Sequence, residues 1–418
     1  MTILKILQLN TMRSKACMEA LINDKQTAEI DILLIQEPSI SYYRTHTQHR
    51  CWQLYQPNPA ANSEGRCRSL IYVNKRLSPS AHKQVQCNNL DATGILVNTS
   101  AGSILVFSVY IPPIGGTREA AEAELQNTLQ ALDMTITQNT PNSDGACHLV
   151  IGGDFNRQDP LWGGDNIQPY RVGEATGLVS FIEEHGLYHQ LQRGQATCWT
   201  LTRPGSKTSI DLILSNISAR LTKCHIYHEN YGSDHRAILS EWDFPVQHRT
   251  DRPPRRMYEH TDWNAVGELV LQRMGSQATI ETRNQLDEIV ERFTRVTAAA
   301  VEELTPLANP CPYSKRWFTP DLKDQQRTYN KARRKWQTAT AQLGREHATT
   351  QEMFAAMKRR RKEWAKAIEH AKSKHWRDFL DQAAKGNLLW KAAKYAEPGT
   401  EYSNLPPLTL ASRTATEN

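Results

Sequence analysis

Apolar runs of a few residues recur between longer polar stretches along the first 245 residues. The runs "ILKILQLN", "DILLIQEP", "SLIYVN", "GILVNTS", "SILVFSVYIPP", "HLVIGGDFN", "SIDLILSN" and "RAILSEW" are rich in β-branched and aliphatic side chains and end in polar or turn residues, so they predict strands. Two stretches carry helical periodicity instead: residues 118–139, "REAAEAELQNTLQALDMTITQN", and residues 172–186, "VGEATGLVSFIEEHG", which closes on Gly186 as a helix C-cap would. Strands interspersed with helices predict an α/β domain over residues 1–245, with sheets inside and helices outside.

Beyond that point the pattern changes. "VQHRTDRPPRRMYEH" is a Pro/Arg-rich linker, and the helix that follows places Leu286, Ile289, Phe293 and Val296 on one face. A second linker, "PLANPCPYS", completes a segment of residues 246–315 that reads as linker with one helix. Leu322, Tyr329, Trp336 and Leu343 then recur at intervals of seven, and Met357, Trp364, Ile368, Ala371 and Phe379 mark a second face beyond a turn near Gly344. Residues 316–395 therefore predict an antiparallel helical hairpin with its basic side chains outward. Residues 396–418 read as a tail.

Charge distinguishes these parts. The chain of 418 residues has a net charge of +6, but residues 315–395 hold 21 Lys/Arg against 8 Asp/Glu, so the remainder sums to −7. Such asymmetry points the basic module toward a polyanion. A mean hydropathy of −0.60, with no apolar run near the ~20 residues of a bilayer span, argues against a membrane protein. The opening "MTILKILQLN" reads as a first strand and not a signal peptide. Eight cysteines without a CxxC pair indicate neither a zinc ribbon nor a disulfide scaffold, and reduced intracellular thiols are the expectation.

Polar residues gather where strands end. In "HLVIGGDFNRQDPLWGG" an apolar run passes through two glycines to Asp154 and Asn156. If extended geometry persists, these two project to one face, a carboxylate beside an amide, as suits a site handling phosphate and water. The alternative is an Asx turn at an ordinary strand exit. Asn10 ends "LQLN", Glu37 ends "LLIQEP", Tyr110 lies late in "VFSVYIPP", Asp211 lies in "SIDLIL", and Asp234 and His235 lie in "GSDHRA". If their strands share two sheets, these ends can converge.

The ordered series "LN … QEP … VYIPP … GDFN … SIDLIL … SDH" resembles the endonuclease/exonuclease/phosphatase superfamily over residues 1–245. "GDFNRQDPLWGG" is most similar to the apurinic-endonuclease-like domains of non-LTR (LINE-type) retrotransposon polymerase proteins. "RWFTPDL", the basic helices, "HWRDFL", "LLWKAAKY" and "LPPLTL" resemble the approach to a reverse transcriptase. No polymerase follows, so a fragment or truncated copy is expected.

The resemblance implies a four-layer, DNase-I-like α/β sandwich followed by a basic helical region. It implies metal-dependent hydrolysis of a phosphodiester that nicks double-stranded DNA and leaves a 3′-hydroxyl primer. Glu37 would hold Mg²⁺, with Mn²⁺ as the alternative, assisted by Asn10 and completed by Asp234. Asp154 would align or deprotonate water, and His235, oriented by Asp211, would contact the phosphate or serve as the base. Asn156 and Tyr110 would donate hydrogen bonds to phosphate oxygens. Many relatives carry a basic residue where Ser209 stands, which weakens DNA positioning, although a hydroxyl can still reach phosphate. Arg333, Arg334, Lys335, Arg359, Arg360 and Arg361 would contact DNA, with element RNA as a second candidate partner. No small-molecule cofactor is implied, and the protein would be intracellular, acting in the nucleus. Residues 1–245 are expected to fold alone. The competing readings are a nucleic-acid-binding relic without cleavage, an apurinic repair endonuclease, and a phosphoinositide phosphatase.

Overall fold

The computed structural model describes residues 3–40, 46–49, 51–57, 65–140, 148–165, 167–199, 207–248, 256–275, 280–307, 317–344, 346–384, 409–410 and 413–414. In chain order, β1 (Leu4–Asn10), α1 (Lys15–Asn23), β2 (Ile32–Gln36), β3 (Trp52–Tyr55) and β4 (Ser69–Asn74) come first. They are followed by β5 (His82–Val85), β6 (Ala92–Thr99), β7 (Gly102–Tyr110), α2 (Arg118–Asn139) and β8 (His148–Asp154). Then come α3 (Pro160–Gly163), α4 (Thr176–Glu184), β9 (Tyr188–His189), β10 (Cys198–Trp199), β11 (Lys207–Thr208), β12 (Asp211–Ser215), β13 (Leu221–Ile226) and β14 (Ile238–Trp242).

The strands build two six-stranded sheets, ordered β13-β14-β1-β2-β4-β3 and β5-β6-β7-β8-β12-β9, while β10 and β11 form a separate ribbon. Alternation along each strand fixes the layers. Leu4 and Ile6 of β1, Ile32 and Leu34 of β2, Val150 of β8 and Ile213 of β12 fill the space between the sheets. Leu149 and Ile151 face the other way, onto Leu125 and Leu132 of α2 and Leu178 of α4. The close approach of strands explains the paired glycines: a Cβ on Gly152 would meet Leu34 Cδ1 at 2.5 Å, and one on Gly153 would overlap the Val109 carbonyl.

On the outer face of the first sheet, Leu7, Leu9, Leu33, Ile35 and Tyr72 share a core with Cys17, Met18 and Leu21 of α1. The helical hairpin joins the same core. Following α5 (Trp263–Met274) and α6 (Arg283–Leu304) in the chain, its helices are α7 (Pro320–Leu343) and α8 (Ala348–Ala384). Leu322, Tyr329 and Trp336 of α7 and Met357, Trp364 and Ile368 of α8 are buried there. Of the expected heptad stripe, Leu322, Tyr329 and Trp336 are buried whereas Leu343 is exposed, and the buried part docks on the α/β domain as well as between its own helices. Lys15 pairs with Glu369 at 2.8 Å, and Lys372 pairs with the buried Glu19. The hairpin and residues 1–249 form one compact unit, so the hairpin is an outer layer of the sandwich and not a separate module.

Residues 250–312 form a second unit. Among its described residues are two α-helices, α5 (Trp263–Met274) and α6 (Arg283–Leu304), where the sequence predicted one. Asp262 caps α5 by accepting from the Asn264 and Ala265 amides, and Thr282 and Gln285 form a capping box on α6. Val266, Val270 and Met274 pack on Ala300, with Ile289 and Val296 alongside, whereas Leu286 and Phe293 are exposed, so only part of the expected apolar face is used. The segments "PLANPC" (residues 306–311) beyond Leu307, "LLWKAAKY" and most of the tail lie outside the described residues. No described helix is long and apolar enough to cross a membrane.

Candidate active site

Strand pairing brings the polar strand ends together. Asp211 opens β12 directly opposite Asp154, the last residue of β8, which in turn pairs with Tyr110 at the end of β7. Across the gap, Asn10 closes β1 beside Gln36, the last residue of β2. Both sheets therefore end at one edge.

The two sheets are joined there by side chains. Asn10 Nδ2 donates to Asp154 Oδ2 at 2.8 Å. Asp154 Oδ1 accepts from the Asn156 amide at 3.1 Å, so both carboxylate oxygens have a donor. His235 Nδ1 lies 2.9 Å from Asp211 Oδ2, and its Nε2 is 3.9 Å from Asp154 Oδ2. Gln8 Nε2 donates to Asp211 Oδ1 at 3.0 Å and to Gln36 Oε1 at 2.8 Å. Gln36 donates onward to Ser108 Oγ at 2.9 Å. The Asp211 amide is held by Thr197 Oγ1 at 3.0 Å, and Ser233 Oγ donates to the Asn10 carbonyl at 2.6 Å. A polar seam thus runs through the edge of the inter-sheet core, in which Gln8 Oε1 is buried without a hydrogen-bond partner among the described residues.

Electrostatics follow from this burial. Asp154 is 1% exposed. Burial raises its pKa to about 7, against the opposing pull of the His235 charge and with a further push from Asp211. Burial disfavours a charged His235, yet the neighbouring Asp211, Cys198 and Asp154 outweigh it and hold the imidazole well above its ordinary value. The pair is best described as a cationic ring between two acidic groups that share its charge. Burial and the adjacent Glu37 carboxylate, which its hydroxyl bonds, push the Tyr110 phenol upward.

Glu37 sits just past β2 in the left-handed region, at φ +44°, an uncommon conformation for glutamate. The backbone holds it there: its amide donates to the Arg68 carbonyl at 2.9 Å, and its carbonyl accepts from the Arg13 amide at 2.8 Å and Thr11 Oγ1 at 2.8 Å. Arg13 Nε pairs with its carboxylate at 3.2 Å. Asp154, Asp211 and His235 each present a metal-competent atom within 4.8 Å of the others, a cluster that could hold an ion. Glu37 and Asp234 are not in that cluster.

Several expected residues occupy different roles. The strand does not persist to Asn156, which has φ +48°. It shares no face with Asp154; instead the two form an Asx turn, and Asn156 Nδ2 donates to the Ile111 carbonyl at 3.0 Å. Ser209 is buried, and its hydroxyl donates to the Gln195 carbonyl at 2.8 Å, so it does not face outward to a phosphate. Asp234 Oδ1 is buried without a hydrogen-bond partner among the described residues, and the charge of Arg333 acts on it. Arg333 itself is 5% exposed, not part of an outward basic face. Arg334, Lys335, Arg359 and Arg360 are exposed, and Arg361 is half-buried. In "NRQDPLWGG", Arg157 is buried and donates to the carbonyls of Pro112 at 2.8 Å and Ala121 at 3.0 Å, while Trp162 Nε1 donates to the Arg157 carbonyl at 3.2 Å. That motif is scaffold behind the site.

Sequence reasoning missed Gln8, Gln36, Thr197 and Ser233. The signal for the first two was available: Gln8 lies two residues before Asn10, on the same face of an otherwise apolar strand, and Gln36 directly precedes Glu37.

Comparison with known proteins places these residues in context. The Endonuclease-reverse transcriptase family matches residues 104–239. The RNA-directed DNA polymerase from mobile element jockey of Drosophila funebris is 21% identical over 254 residues, covering 60% of this chain and 25% of that protein. Its Drosophila melanogaster counterpart is 20% identical over 196 residues, covering 45% and 18%. The chain thus spans a quarter or less of the length of these relatives. Among solved structures, the endonuclease domain of TRAS1, a telomere-specific non-LTR retrotransposon, gives a TM-score of 0.44 at 21% identity, covering 57% of this chain and 98% of that one. The AP endonuclease LMAP from Leishmania major gives 0.47 at 11% identity, covering 57% and 87%.

Proposed function

We propose that this chain, whose residues 104–239 match the Endonuclease-reverse transcriptase family, is a divalent-cation-dependent endonuclease that nicks double-stranded DNA and leaves a 3′-hydroxyl. The observation that carries the reading is the line Asn10–Asp154–His235–Asp211, drawn from both sheets and buried at their common edge.

Asp154, with one oxygen fixed by Asn10 and the other by the Asn156 amide, aligns the attacking water and takes its proton. A base whose pKa stands near 7 is matched to that task at neutral pH. His235 is held cationic by Asp211, so both ring nitrogens carry protons, and Nε2, with Cys198 Sγ at 3.7 Å and Asp154 Oδ2 at 3.9 Å, turns to donate to a phosphate oxygen as negative charge develops. This favours Asp154 as the base and His235 as the phosphate contact. Tyr110, whose hydroxyl bonds the Glu37 carboxylate, would become a second donor to phosphate on leaving that contact.

The carboxylates at this edge are hard oxygen donors: Asp154 and Asp211 lie in one cluster with His235, and Glu37, paired with Arg13, stands outside that cluster next to Tyr110. Glu37, beside Asn10, would be the principal holder of Mg²⁺. Bound there, such an ion supplies Lewis-acid stabilisation of the phosphate and the leaving oxygen. Chromosomal DNA as target places the action in the nucleus, and reverse transcription from the nick would bring element RNA to the same complex.

The test is relaxation of supercoiled plasmid by the full chain with Mg²⁺, with and without chelator, followed by extension of the nicks by a DNA polymerase. Chelator-sensitive nicks that extend without end repair are expected. No relaxation with Mg²⁺ or Mn²⁺, or cleavage confined to abasic sites, would overturn the reading.

A further inference from the structure

His235 is carried by the turn Glu229–His235 between β13 and β14, and that turn is strained. Tyr231 has φ +54° and Gly232 φ +86°, and a non-glycine residue in this region needs support from its surroundings. Part of the support is local. Glu229 Oε1 accepts from the Asn230 and Tyr231 amides, both at 3.1 Å, and Ser233 Oγ accepts from the His235 amide at 3.1 Å. Asn230 Nδ2 donates to the Ser233 carbonyl at 2.8 Å.

The rest of the support comes from α7, about a hundred residues downstream. Asn330 Nδ2 donates to both Glu229 oxygens, at 2.9 and 3.1 Å, so one carboxylate gathers the turn's own amides and the helix. The Tyr329 hydroxyl donates to the Gly232 carbonyl at 3.3 Å, and its ring stacks on Trp364. These two rings form the wall behind Gly232: a Cβ there would lie 2.9 Å from Tyr329 and 3.2 Å from Trp364. Arg333, one helical turn beyond Tyr329, is buried with its charge acting on Glu229 and Asp234. Tyr329, Asn330 and Arg333 are exposed by only 1%, 7% and 5%, and the first two bond the strained turn directly. A helix that merely covered an apolar sheet face would need none of these polar contacts.

We propose that Tyr329 and Asn330 are positioning residues of the nuclease site, holding the Glu229–His235 turn so that His235 meets Asp211 and Asp154. The inference rests on the nuclease reading for its kinetic consequence, but its structural content stands apart from it. The hairpin then completes the site from behind, and cleavage depends on a segment that lies outside residues 104–239, the part matching the nuclease family.

The experiment uses the full chain. Asn330→Asp sets a carboxylate against Glu229, and Tyr329→Phe removes one hydroxyl while keeping the ring. Each should lower kcat for Mg²⁺-dependent plasmid nicking, by roughly 10- to 100-fold for displacements near 1 Å, with KM for DNA within about twofold. The ¹H–¹⁵N imidazole resonances of His235 should shift in both variants, while thermal melting stays cooperative. Adding Glu229→Gln to Asn330→Asp exchanges amide and carboxylate across the contact and should restore both kcat and the resonances. Wild-type kcat and unmoved His235 resonances in both variants would overturn the proposal. If the wild type does not nick at all, the nuclease reading fails, and the resonances still decide whether α7 positions His235.

Discussion

His235 Nδ1 stands 2.9 Å from Asp211 Oδ2, and this contact joins two chain segments that enter the site from different sheets. Asp211 is wholly buried, and its other oxygen accepts from Gln8 at 3.0 Å, so the carboxylate cannot turn away from the ring. Asp211→Asn keeps the shape but removes the charge that holds the imidazole protonated. Nicking should fall by about 10²–10⁴ in kcat, as when a buried carboxylate partner of a working histidine is neutralised. Circular dichroism should be unchanged. A kcat within threefold of wild type would remove Asp211 from the machinery.

The pKa of Asp154 gives a pH dependence with a definite sign. Burial raises it to about 7, so the carboxylate is largely protonated below that pH and ionised above it. A base must be ionised to act, and kcat should therefore rise with pH through an acidic limb of unit slope. Asn10 Nδ2 stabilises the ionised form through its 2.8 Å bond. Asn10→Ala removes that stabilisation and should shift the limb to higher pH, by the direction of hydrogen bonding to a charged acceptor. A limb that stays in place, or moves downward, would show that Asp154 does not govern the rate.

Glu37 tests the cation. Its backbone is fixed in an uncommon conformation, which places the side chain regardless of its charge. Glu37→Gln should thus keep the geometry and lose the hard donor, since a neutral amide binds Mg²⁺ more weakly than a carboxylate does. The Mg²⁺ concentration for half-maximal nicking should rise by about tenfold or more, with partial recovery at high concentration. An unaltered Mg²⁺ titration would move the cation to the Asp154–Asp211–His235 cluster.

Much of this site was legible in the sequence because period-two alternation sorts strand residues by face, and a polar residue at a strand end interrupts an apolar pattern. Asn10, Tyr110, Asp154 and Asp211 all belong to that class, and their strands are among those the alternation predicts. The residues that eluded it have partners far away in the chain. Glu19 lies buried on α1, and its partner Lys372 comes 353 residues later. Arg333 is indistinguishable in "KARRK" from its exposed neighbours, because burial beside Asp234 and Glu229 is a property of the docked hairpin. Asn156 went astray for a local reason. The extended geometry assumed for it ends at Asp154, whose carboxylate captures the Asn156 amide and turns the chain.

Docking of the hairpin has a consequence for stability. Trp364 is 2% exposed and packs in the core that also holds Met18 and Leu21 of α1. Trp364→Ala should destabilise the full chain by about 3–5 kcal/mol, the usual cost of truncating a buried aromatic. A chain shortened to residues 1–248 should melt at markedly lower temperature and bind a hydrophobic dye, because the outer face of the first sheet loses its cover. Equal melting temperatures for the short and full chains would mean that the hairpin contributes nothing to the sandwich.

The exposed bases of the hairpin call for a separate measurement, since they are free of this packing. Arg334, Lys335 and Arg359 face solvent, and Arg360 pairs with Glu363 at 3.0 Å on the same helix. An exposed pair of that kind is worth little and leaves the arginine open to exchange partners. If these four contact DNA phosphates, each releases condensed counterions on binding. The logarithm of the affinity then falls with the logarithm of salt, with a slope of about −0.9 per phosphate on duplex DNA. Changing all four to Gln should flatten the slope by up to ~3.6 on that basis, with no loss of melting temperature and no change in kcat at saturating DNA. Arg333→Gln should do the opposite, lowering stability and kcat while leaving the salt slope in place, because a buried guanidinium releases no counterions from DNA. An unchanged slope in the fourfold variant would assign these charges to solvent alone and end the case for a DNA-binding face on α7 and α8.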